Sequence, residues 1–161
     1  MHDRTTGVPN LGGKVRTTYR VLAVLIPVLV AVQAAAIAAG TFGMLNSVDD
    51  GTPFTESSDP NVGQIVHSTG AMAIALVALL LLLVSFFAKI EGGVKWAGFV
   101  FLSVVFQWVI AILSFGAPAL GVLHGLNAFV MFGLGASAAA AATRSMRSPT
   151  SSPASASGVS V

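Results

Sequence analysis

Of the three histidines in the chain, two, His67 and His124, lie inside long apolar runs. An ionisable side chain in hydrocarbon is costly, so its presence there marks a functional site by default. His67 stands five residues past the start of one run at Val62, and His124 six residues past the start of another at Pro118. At ~1.5 Å per helical residue both are roughly 8 Å below the same face of a bilayer. Two neutral imidazoles that reach one layer from opposite sides of a helix bundle can hold a six-coordinate haem iron between them. Beside His67 at helical spacing lie Gln64, Gly70 and Ala71; beside His124 lie Gly121, Asn127 and Ala128. The small members of both sets would leave room for a flat macrocycle. The pattern predicts His67 and His124 as axial metal ligands of a b-type haem, with these six residues around it.

The same residues admit plainer readings. Gly and Ala are what close helix packing uses, and the chain is rich in both, as Gly133, Gly135 and the Ala138 to Ala142 run show. Two imidazoles near an interface could bond to backbone or to each other, or serve another metal, a quinone or a pH-sensing site. Gln33 and Gln107 lie at similar depth and predict an amide hydrogen bond between the first and third apolar runs. Met72 and Met131 read as packing material. His2 lies in the N-terminal tail, outside the proposed layer.

The elements that must position these groups follow from composition. The chain is 55% hydrophobic and 9% charged, which belongs to a protein built for lipid. Four stretches reach the length of about 20 residues that a hydrocarbon core requires: residues 21–42, 62–87, 94–115 and 118–142. The first resembles a signal peptide but is too long for one, and reads as an uncleaved span bent at Pro27. The eight basic residues fall on one side: Arg4, Lys14, Arg16 and Arg20 before the first span, Lys89 and Lys95 between the second and third, Arg144 and Arg147 after the fourth. The other side carries Asp49, Asp50, Glu56 and Asp59 and no Lys or Arg. The positive-inside rule then puts both termini in the cytoplasm of a plasma-membrane protein, and Tyr19 and Trp96 suit the headgroup level of that side.

The expected architecture is all-α, a transmembrane up-down four-helix bundle with spans 2 and 4 on a diagonal. Residues 1–20 form a cytoplasmic tail, 43–61 an acidic external loop, and 143–161 a disordered Ser/Pro/Ala-rich tail. Asp59 and Pro60 suggest the N-cap and first turn of span 2. No internal sequence repeat is visible.

Several functions are excluded on physical grounds. Basic residues flank the apolar runs instead of forming a patch, so nucleic acid is not an expected partner. The absence of cysteine removes thiolate metal sites and covalent haem attachment. No Asp, Glu, Lys or Arg occurs in the central parts of the spans, which argues against an ion-coupled transporter or a voltage sensor.

The segments Gln64-Ile65-Val66-His67 and Leu123-His124-Gly125-Leu126-Asn127-Ala128 resemble one four-helix half of the haem A synthase family. The chain is also similar to small four-span bacterial membrane proteins with the same histidine layout and a glutamine in span 3, here Gln107. Over residues 20–142 the resemblance implies haem ligation by His67 and His124. It does not extend to haem A synthesis. The acidic residue that the family has three positions before its first histidine is Gln64 here, its Arg is replaced by Ser68, and the loop cysteines and second histidine pair are missing. Haem propionates would meet only neutral donors, such as Gln64, Ser68, Thr69, Asn127, Thr52 and Thr55. Two functions remain in competition: a haem protein serving electron transfer or haem handling with a redox partner, and a cofactor-free accessory subunit of a larger membrane complex. No catalytic constellation is present.

Overall fold

The structure is a computed structural model, and it describes residues 11–55 and 57–147. Among these, four helices are connected in order: α1 (Leu11–Asp49), α2 (Val62–Ala88), α3 (Gly93–Ser114) and α4 (Gly121–Arg147), the last preceded by a single 3-10 turn at Pro118–Leu120. There are no strands among the described residues. Each helix is long and apolar enough to cross a membrane, and the chain is a small multi-pass membrane protein. Exposed Leu, Val, Ile and Phe side chains cover the outside of the bundle, as lipid contact requires and water would penalise.

α1 packs on α2 and α4, and α3 packs on the same two helices. The arrangement is an up-down bundle, with α1 diagonal to α3 and α2 diagonal to α4. Lys14, Arg16, Arg20, Lys89, Lys95, Arg144 and Arg147 gather at one end, which we call the basic end. His67 and His124 lie toward the other, the histidine end.

The core is concentrated toward the basic end. Tyr19, Ala23 and Ile26 of α1, Ala78 and Leu81 of α2, Ala97 and Val100 of α3, and Ala138 and Ala142 of α4 are fully buried. Small residues on every helix let the backbones approach, and dispersion between close-packed atoms then holds them, since lipid supplies no hydrophobic drive. Gly135 of α4 shows how close: a Cβ there would lie 2.7 Å from Pro27 Cδ and 2.9 Å from Ile26 Cβ. Two hydrogen bonds tie α1 to the α2–α3 turn. Tyr19 donates its hydroxyl to Gly93 O (2.8 Å), and Arg16 Nε donates to Ala88 O (3.3 Å). That turn reverses sharply because Lys89 and Gly92 both adopt left-handed backbone angles (φ 49° and 69°).

Helix ends depart from the hydropathy boundaries. α1 begins at Leu11 and runs on to Asp49, so residues 11–20 and 43–49 are helix where tail and loop were expected. α4 continues to Arg147, past the expected start of the disordered tail. Hydropathy marks where lipid ends, whereas the helix stops only where its hydrogen bonds do. Residues 1–10 and 148–161 lie outside the described residues. The N-cap of α2 is Asn61, not Asp59: Asn61 Oδ1 accepts from Gln64 N (3.1 Å), and Gln64 Oε1 accepts from Asn61 N (2.9 Å). This reciprocal capping box satisfies two donors that a lone Asp59 could not reach together. Asn61 Nδ2 also donates to Gly40 O (2.7 Å) and fastens the cap to α1.

Candidate functional site

The two histidines meet across the α2–α4 diagonal, with ring centroids 6.2 Å apart and planes inclined by 64°. Each is held by a glutamine of the preceding helix. His67 Nδ1 lies 3.1 Å from Gln33 O, and Gln33 Nε2 donates to Val66 O (3.3 Å). His124 Nδ1 lies 3.3 Å from Gln107 O, and Gln107 Nε2 donates to His124 O (3.0 Å). The α1–α2 and α3–α4 hairpins thus carry the same two-point clasp: a glutamine carbonyl takes the imidazole, and the glutamine amide takes a carbonyl at or next to the histidine. A carbonyl oxygen can only accept, so Nδ1 carries the proton in both rings. Nε2 of each imidazole then presents a lone pair.

The rings border a cavity of about 460 Å³ that touches all four helices. Buried Val30, Ile74, Val104 and Met131 close it on the side of the basic end. Its rim includes exposed residues of three helices, Ala31, Ala34 and Ile37 of α1, Gly125, Phe129 and Phe132 of α4, and Trp108 of α3. Surfaces exposed on these spans face hydrocarbon, so the cavity opens sideways between α1 and α4. Among the described residues, the polar side chains that line it are Gln33, His67, Gln107 and His124, with the indole of Trp108, and no acid or base other than imidazole is among them.

Of the residues that the sequence places around the histidines, Ala71 and Ala128 line this cavity. The other four do not line it. Gln64 is committed to the capping box. Gly70 makes room for a protein group, because a Cβ there would collide with the Gln33 amide. Gly121 opens α4 with nothing within 4 Å of its would-be Cβ. Asn127 is buried in a network: it accepts from Ser103 Oγ (2.9 Å) and donates to Ser103 O (2.9 Å) and Gln107 Oε1 (2.7 Å).

The expected bond between Gln33 and Gln107 is not made. Diagonal helices hold these amides apart, and each turns to the adjacent helix instead. Sequence reading missed their role as supports of the imidazoles. The signal was present, since both odd-numbered spans carry a glutamine and both even-numbered spans a histidine. Trp108, Phe129 and Phe132 were also missed, because aromatics in an apolar run give no sign of which face they take.

Among the described residues no group of three or more His, Cys, Asp or Glu side chains could hold a metal ion. Any metal bound here by side chains would rest on the two imidazoles and need its other ligands from elsewhere, as a porphyrin supplies them. No protein-family model matches the chain, and no curated protein and no solved structure is significantly similar to it.

Proposed function

We propose that the protein binds a b-type haem between His67 and His124 and serves electron transfer or haem handling in the membrane. One observation carries this reading: two imidazoles on diagonal helices, each with Nδ1 tied back to a glutamine carbonyl. Metal-binding histidines commonly have the other nitrogen fixed in this manner, which sets both tautomer and ring direction. Bonds of about 2 Å on either side of one metal put two imidazole centroids roughly 6 Å apart, in keeping with the 6.2 Å found.

The surroundings fit a porphyrin in part. The cavity volume of about 460 Å³ lies in the ~300–1,000 Å³ span of cofactor sites, and its walls are apolar. Propionates find few partners: among the described residues no Lys or Arg lies at this end, Ser68 and Thr69 donate to Ile65 O, and Gln64 is spent on the cap. His67 and His124 would be the two protein ligands of a haem held here, and the chemistry it would supply is one-electron transfer more than oxygen activation. The chain's own part is to exclude water, supply two ligands and hold them rigidly through Gln33 and Gln107.

A visible spectrum of protein purified after expression with ample haem tests this. A Soret band with sharp reduced-state bands is expected, and both His67→Ala and His124→Ala should abolish that six-coordinate spectrum. Colourless wild-type protein, or a spectrum unchanged in either variant, would overturn the proposal. Colourless protein that co-purifies with a larger membrane complex would favour the accessory-subunit reading.

A further inference from the structure

Arg16, Arg20 and Lys89 stand together where α1 passes the end of α2. Arg16 reaches across from α1, and its Nε donates to Ala88 O (3.3 Å). Lys89 follows Ala88 directly, so covalent geometry puts the Lys89 Cα within about 6 Å of that Nε. Arg20 lies four residues after Arg16, one turn along the same flank of α1. Among the described residues none of the three forms an ion pair, and the exposed side chains of Arg20 and Lys89 have no partner. Glu91 is the only acid described at this end, and it is exposed and equally unpaired.

The bias of positive charge to one side of a membrane accounts for the sign of these residues. It does not account for two features of their placement. Lys89 is the only non-glycine among the described residues with a positive φ (49°), at the left-handed position after a helix where glycine costs least. A lysine kept there against a conformational cost calls for a use of its ammonium. The Arg16 side chain, moreover, is drawn toward Lys89 although the two charges repel. The negative end of the α2 dipole offsets part of this repulsion, but a carbonyl already bonded to Arg16 does not neutralise three cations.

Depth identifies the anion that would. Arg20 is followed by Val21, where the first apolar run begins, and Lys89 stands two residues after Phe87, where the second ends. Val21, Phe86 and Phe87 are all exposed, as lipid-facing side chains are. The cations therefore edge the hydrocarbon at the level of lipid phosphates. A guanidinium matches phosphate oxygens in a two-point fork, and an ammonium adds a compact charge.

We propose that Arg16, Arg20 and Lys89 form a binding site for the headgroup of an anionic phospholipid, one whose phosphate diester carries no compensating cation. The site lies at the opposite end of the bundle from His67 and His124 and does not rest on the haem reading.

Native mass spectrometry of the full chain in detergent, titrated separately with dioleoylphosphatidylglycerol and dioleoylphosphatidylcholine, counts bound lipids one at a time and tests this. The two lipids share their acyl chains and differ in net charge. The first phosphatidylglycerol should bind about tenfold tighter than the first phosphatidylcholine, and later ones should show no such preference. Arg20→Gln and Lys89→Gln should each reduce that preference about fivefold. Arg147→Gln, on the helix diagonal to α2, and Lys14→Gln, on another side of α1 from Arg16, should leave it unchanged. Arg16 is kept intact because its bond to Ala88 O also ties α1 to α2. Lys89→Gly separates binding from folding: it removes the charge and relieves the left-handed residue, so the preference should fall while thermal unfolding comes at no lower temperature. Equal affinity for the two lipids in the wild-type protein overturns the proposal. So does an undiminished preference in Arg20→Gln and Lys89→Gln, an equal loss in all four glutamine variants, or displacement of the first lipid by excess inorganic phosphate.

Discussion

The basic end and the histidine end of this bundle are made from the same four helices and use them in opposite ways. At the basic end, alanines bring the helices together, large side chains such as Ile26 and Leu81 are fully enclosed, and the polar groups that enter, the Tyr19 hydroxyl among them, are satisfied by backbone. At the histidine end α1 and α2 still meet backbone to backbone at Gly40 and Gly63, but below that contact the four helices enclose a cavity, and glutamine, asparagine and histidine occupy positions where the other end has alanine or leucine. In lipid there is no hydrophobic gain from burying one apolar residue against another, so stability rests on contact density and satisfied hydrogen bonds. A bundle can therefore leave one end open only if the other is closely packed. The open end must also have its polar side chains held by neighbours, as Asn127, Ser103 and Gln107 hold one another.

Four substitutions measure this division, read by unfolding in mixed micelles with circular dichroism. The largest loss should come from Leu81→Ala at the basic end, about 2–3 kcal/mol. That is the low part of the range for emptied core sites, because the transfer contribution is missing in lipid. A loss below about 0.5 kcal/mol would show that the basic end is not the stabilising half. Asn127→Leu should cost about 1–2 kcal/mol by stranding the Ser103 hydroxyl and Gln107 Oε1 in apolar surroundings. If haem is bound, its spectrum should broaden in the same variant as His124 loses its support. An unaltered stability would mean that the network is replaceable by packing. The smallest and sharpest contrast is a paired one. Gly135→Ala forces Pro27 and Ile26 to move and should cost about 1 kcal/mol, whereas Gly125→Ala on the cavity rim, with nothing within 4 Å, should fall within about 0.5 kcal/mol of wild type. Equal effects would contradict the difference in packing between the two ends.

Much of the fold is legible without coordinates because a bilayer leaves few choices. Every backbone polar group must be satisfied within its own segment, so four apolar runs of sufficient length become four helices. The short α2–α3 and α3–α4 connections then force antiparallel neighbours. Helix ends were less legible: Leu11 to Arg20 and Gly43 to Asp49 are helical although no continuous apolar run marks them, only scattered residues such as Val15, Tyr19, Leu45 and Val48. The α2 cap moved from Asp59 to Asn61 because the reciprocal bond with Gln64 needs a spacing of three that the Asp-Pro pair obscures.

The candidate site divides along the same line. That His67 and His124 share a layer could be read from counting residues, since helical rise converts sequence position into depth. Rotation about each helix axis could not, because it depends on which small residues let which helices approach. So Gly70, which beside His67 reads as room for a cofactor, serves the Gln33 side chain, and Gln33 and Gln107, which read as partners of each other, clasp one histidine each. The sequence by itself determined that this is a four-helix membrane protein with two imidazoles at one depth, since length, apolarity and rise are properties of single segments. Only the tertiary structure decided that Nδ1 of each ring is engaged, that the buried Gln33 Oε1 has no hydrogen-bond partner, and that the cavity opens between α1 and α4. Those are relations between helices, and they are set by how closely each pair of surfaces can pack.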